Sequence, residues 1–134
     1  MENDVKVYRL GEECRFVKST AMAYVEFKGK CAYCGEDLID DRRYYALGKI
    51  DHLLPKSIYP QYADDQRNLV LACDICNSHK GSFNPCPEGE EPEKMLAVKR
   101  GELIGRAYEF ITEKENKAKL EWQQARRIIL DTKE

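Results

Sequence analysis

Two C-x-x-C pairs, Cys31/Cys34 in CAYCG and Cys73/Cys76 in CDICN, constrain this chain more than any other feature of it. Scattering 6 cysteines at random over 134 residues would give roughly 0.3 such pairs. Two pairs therefore call for a common cause. In a reducing compartment that cause is metal before disulfide. Each tight loop turns two thiolates to one side of an ion, and two loops complete a tetrahedral sulfur shell. Such a shell suits zinc best and iron second. A thioredoxin-like redox pair would need a flanking β-α-β pattern, which is missing here. The 38 residues between Cys34 and Cys73 are too many for a compact zinc ribbon, so the pairs bracket a substantial insert. Cys14 and Cys86 are left over and read as buried free thiols.

Composition narrows the remainder. A chain of 134 residues, 43% apolar and 34% charged, makes one domain or one domain with a small appendage. With 8 Gly and 5 Pro it is neither collagen-like nor low-complexity. It has no run of 18 apolar residues to span a membrane. Its start, MENDVKVYRLGEEC, lacks the basic-then-apolar order of a signal peptide. A cytoplasmic chain is expected. The net charge of −2 is not that of a strongly basic nucleic-acid binder. Any polyanion site must be a local patch, to which Arg42, Arg43, Lys49, Lys56 and Arg67 are the available contributors.

Local patterns predict a mixed fold. Residues 5–10 alternate like an edge strand, and the spacing of Phe16, Met22, Ala23 and Phe27 predicts a helix leading into the first cysteine loop. Residues 44–47 and 50–54 read as a two-stranded hairpin bent at Gly48 and stopped by Pro55. A loop over 57–67 precedes the apolar run NLVLA. A short helix then starts near Asp74, the expected N-cap, and stops at Gly81. The proline-rich stretch SFNPCPEGEEP reads as a linker. Beyond it the apolar residues keep helical spacing, as two helices or one interrupted near Asn116.

Both histidines lie between the first cysteine pair and the linker, in IDHLLPKS and NLVLACDICNSHKG. The ordered set of the first cysteine pair, Asp51-His52 with Pro55, Asn68-Leu69, the second pair and Asn77 resembles the four-cysteine branch of the HNH endonuclease family. The resemblance covers residues 31–81. It implies an α+β fold, a zinc-stapled, treble-clef-like ββα-metal core flanked by N- and C-terminal helices. The corresponding division is 1–92 as the nuclease domain and 93–134 as a helical extension packed on it.

The chemistry asks for the same residue types. Phosphodiester hydrolysis needs an activated water, a cation to neutralise the departing oxyanion, and in-line positioning. A histidine of ordinary basicity can take a proton from water near neutral pH. Mg²⁺ or Mn²⁺ prefers oxygen ligands, and Mg²⁺ keeps several waters, so the carboxylate of Asp51 and the amide oxygen of Asn77 suffice. The family reading makes His52 the general base, Asp51 and Asn77 ligands of the catalytic ion, and Asn68 a brace for the loop that orients His52. Asn77 stands where the family name has a second histidine. Cys31, Cys34, Cys73 and Cys76 would hold the structural Zn²⁺. Lys80, three residues after Asn77 on its helix face, is a candidate phosphate contact. His79 sits roughly 200° from Asn77 around the same helix and faces away.

The resemblance thus implies an endonuclease acting on DNA, most naturally double-stranded. A non-catalytic four-cysteine interaction module is the alternative from another class. The phrase PKSIYP resembles HNH proteins that work with ATPases in antiphage defence. A weakly charged small nuclease also has little DNA affinity of its own, which favours a homodimer or a protein partner.

Overall fold

The computed structural model describes residues 18–132. The strand expected over 5–10, the N-terminal part of the expected first helix and Cys14 lie outside these residues. Helix α1 (Lys18–Glu26) leads into the first cysteine loop and buries Ala21 and Ala23. A single helical turn, α2 (Arg42–Tyr45), follows, capped by the Asp41 side chain. Strand β1 (Gly48–His52) pairs antiparallel with β2 (Leu69–Cys73), with Gly48 opposite Cys73 and His52 opposite Leu69. Helix α3 (Asp74–Lys80) starts directly at the end of β2. Helix α4 (Pro92–Val98) and the 33-residue α5 (Arg100–Thr132) complete the chain.

The mixed α+β core built on two strands and a helix is the expected class, but the hairpin is a different one. Residues 44–47 do not pair with 50–54: Asp41 caps Arg42–Tyr45 into a helical turn, and the partner of β1 is β2. Gly48 opens the strand because a Cβ there would collide with the Tyr24 hydroxyl. Strand β2 is buried along its whole length, which explains its unbroken apolar run.

The cap of α3 is also shifted by one residue. Cys73, not Asp74, is the N-cap, and its sulfur accepts the Cys76 N–H. Gly81 ends the helix with φ of 52°, a backbone conformation that disfavours a β-carbon. The C-terminal break falls at Lys99, and α5 runs unbroken through Asn116.

One apolar core joins these parts. Leu38, Leu53, Leu54, Val70 and Leu71 pack with Met95 and Leu96 of α4 and with Leu103, Ala107 and Ile111 of α5. From Lys119 onward α5 is exposed, including Trp122 and Ile129 of the same helical stripe. Among the described residues no helix is long and apolar enough to cross a membrane.

Candidate active site and metal centre

Two loops of equal geometry bring the four cysteines together. In each, the first sulfur accepts a backbone N–H three residues on: Cys34 N to Cys31 Sγ, and Cys76 N to Cys73 Sγ, both at 3.4 Å. The pairing of β1 with β2 and the Ala32 N–H bond to the Leu71 carbonyl then seat one loop on the other. All four sulfurs lie within 4.8 Å of one another, with Cys34 and Cys73 3.8 Å apart. A tetrahedron with metal–sulfur bonds of about 2.3 Å has edges of about 3.8 Å, so the residues fit a zinc ion.

The packed thiols also perturb one another. Hydrogen bonds from Cys73 and Cys76 hold Cys31 far below the ordinary thiol range. Burial pushes Cys34 up to about 12. Cys76 is raised by its bonds to Cys31 and Cys73. A dication bound among the four sulfurs would let all of them ionise.

A separate open cleft of about 290 Å³ lies at the end of β1. Asp51, His52, Lys56 and Asn77 are among its lining residues. Asp51 is buried and His52 half-buried, and both border the cleft at the end of the strand. The carbonyl of Ala63 lies 2.9 Å from His52 Nε2. A carbonyl only accepts, so Nε2 carries the proton and Nδ1 is the nitrogen left to receive one.

Asn68 is fully buried behind this strand end. Its Oδ1 accepts from Leu54 N at 2.6 Å, and its Nδ2 donates to the carbonyls of Leu54 and Tyr62 at 3.0 and 3.2 Å. The side chain therefore ties the residues just after His52 to the insert that supplies Ala63. Asn68→Ala leaves those backbone groups without their partner. It is expected to cost about 3 kcal/mol of stability, read as a lower denaturation midpoint at unchanged slope.

Lys80 is not at the surface. Its side chain is 0% exposed, and Nζ lies 3.2 Å from Asp51 Oδ2 and donates to the His52 carbonyl at 2.9 Å. The phosphate contact expected of it is corrected accordingly. That helix face turns into the core, the aliphatic stem packs there, and the ammonium meets the only buried carboxylate among the described residues. Tyr33, overlooked in the sequence because it sits between two ligands, donates its hydroxyl to the same Oδ2 at 2.5 Å. Burial raises the Asp51 carboxyl, opposed by the Lys80 charge, and burial likewise lowers Lys80. Tyr33 is pushed well above the phenol range by burial and by the Asp51 charge, which keeps it a donor.

His79 points elsewhere. Its Nε2 lies 2.8 Å from Glu115 Oε1 of α5, in a crevice bordered by Cys34, Cys73 and Cys76. Of the remaining basic side chains, Arg67 is paired with Asp65 and Glu93, and Arg43 with Asp41. Cys86 is half-buried, its thiol directed at the carbonyls of Pro87 and Glu90.

The segment carrying these groups, residues 31–83, matches the family model described as HNH endonuclease. This segment is HNH-like in sequence. A Septu protein PtuB from Bacillus thuringiensis is 38% identical over 55 residues, 41% of this chain. The chain spans about a fifth of that relative's length, 20%. No solved structure matches the chain significantly. Both cysteine pairs, β1, β2 and α3 all fall inside the HNH-like segment, whereas α4 and α5 lie beyond it.

Proposed function

We propose that the chain is a metal-dependent HNH endonuclease that hydrolyses DNA phosphodiester bonds. The observation that carries this reading is the cleft at the end of β1. It gathers a carboxylate, an imidazole and a carboxamide, Asp51, His52 and Asn77, in a domain stapled by a separate cysteine cluster.

In this reading the four cysteines hold Zn²⁺ and the cleft holds Mg²⁺ or Mn²⁺. Asp51 and Asn77 offer two oxygen donors, a fit for a hard cation that retains waters. When bound, that cation neutralises charge on the phosphate and on the leaving oxygen. The chain's own residues do the rest. His52 Nδ1 takes the proton from the attacking water, while Nε2 keeps its proton on the Ala63 carbonyl and so fixes the ring. Asn68 holds the loop that presents both. Lys56, exposed at the cleft, is the cation placed for a neighbouring phosphate. The helical segment 93–134 packs its first turns on this nuclease unit as an extension of it.

Asn77→Ala tests the ligand assignment with little structural risk, because Asn77 is only half-buried. Plasmid nicking by this variant is expected to need about 10-fold more Mn²⁺ or Mg²⁺ for half-maximal rate, with zinc content unchanged. A metal dependence identical to wild type rejects the assignment.

A second reading concerns context. The match to a Septu PtuB and the PKSIYP phrase favour a nuclease subunit of an antiphage-defence assembly over a nuclease acting alone. Weak DNA retention by the isolated chain, in gel filtration with and without duplex DNA, is the outcome expected of such a subunit.

A further inference from the structure

Three segments meet at one oxygen atom. Tyr33 comes from the first cysteine loop, Lys80 from the helix that the second cysteine loop starts, and both end on Asp51 Oδ2 of β1. Lys80 also grips the His52 carbonyl, so one ammonium touches both residues of the Asp51-His52 pair. Neither Tyr33 nor Lys80 borders the cleft. An aspartate rotates easily about its last torsion, and a buried carboxylate bonded on one oxygen by two donors does not.

We propose that Tyr33 and Lys80 are positioning residues that clamp Asp51 Oδ2, so that Asp51 presents a divalent cation with Oδ1 alone and in one orientation. The proposal rests on the assignment of Asp51 as an oxygen ligand of the cleft. It assigns the cysteine loops a second task. Beyond stapling the fold, they aim the carboxylate, since the first loop supplies one clamp and the helix that starts at the second supplies the other. A plain structural role for the Tyr33 hydroxyl would show in the melting temperature alone and leave the cation affinity of the folded protein unchanged.

The test is Mn²⁺ binding by the zinc-loaded full chain, followed by the paramagnetic signal of free Mn²⁺, for wild type, Tyr33→Phe, Lys80→Met and Asp51→Asn. Tyr33→Phe removes one oxygen and is expected to stay folded, at a somewhat lower melting temperature, and to keep its zinc. Its Mn²⁺ affinity is expected to fall about 10-fold, with the nicking rate at saturating Mn²⁺ reduced far less. Lys80→Met, where it folds, is expected to show the same pattern. Wild-type Mn²⁺ affinity in a folded Tyr33→Phe, with Asp51→Asn impaired, overturns the clamp and leaves the ligand assignment standing. Equal Mn²⁺ binding by wild type and a folded Asp51→Asn overturns that assignment, and the clamp with it.

Discussion

His52→Ala is expected to slow plasmid cleavage by about 10²–10⁴-fold, which is about 3–5 kcal/mol of barrier. The protein should remain folded, because the contact that matters for packing is made by the His52 main chain. Lys80 donates to its carbonyl, and the Leu53 N–H that follows bonds to the Asn68 carbonyl. DNA and metal binding should also survive, since a neutral imidazole contributes no phosphate charge. His79→Ala is the discriminating comparison. Its ring lies against Glu115 in a different crevice from Asn77, so most activity should remain. Nicking by both variants on one substrate at matched ionic strength settles the matter. A folded, zinc-loaded His79→Ala as inactive as His52→Ala would place the active face wrongly.

Cys73→Ala is expected to unfold the domain. A structural zinc contributes about 10–16 kcal/mol of apparent binding free energy, comparable to the whole net stability of a domain this size. Cys73 is the costliest of the four to lose, because its sulfur is both a ligand and the N-cap of α3. It also closes the β1–β2 ladder opposite Gly48. Wild type should carry one zinc per chain by metal analysis, and Cys73→Ala should carry little and melt far lower. Prolonged dialysis against a strong chelator should do the same to wild type, more slowly than it strips Mg²⁺ or Mn²⁺ from the cleft. A Cys73→Ala protein that stays folded with its metal content unchanged would refute the four-cysteine site.

Much of the local order was legible in the chain itself. The two C-x-x-C pairs announced the sulfur cluster because a metal shell needs paired ligands on tight loops, and such loops leave a fixed spacing. Gly81 announced the end of α3. The two-residue spacing of Asn77 and His79 already separated their directions, because helix geometry is local.

What the spacing left open was long-range. Residues 44–47 looked like the partner of β1 because neighbours in sequence are the commonest pairing. The actual partner begins 17 residues after His52, at Leu69, and it is buried in the core along its whole length. Lys80 read as a surface cation, since lysines almost always are. Tertiary packing buries it instead, because a buried carboxylate on another strand supplies the one partner that makes burial tolerable. Tyr33 carried no signal as a donor to Asp51, 18 residues away. The ring nitrogen that carries the His52 proton was equally out of reach, being set by the Ala63 carbonyl across a folded insert. Sequence determined which ligands and which helix faces this protein has. The tertiary structure alone decided which atoms of Asp51 and His52 are engaged inside the protein and which border the cleft, because hydrogen-bond partners distant in the chain exist only once it has folded.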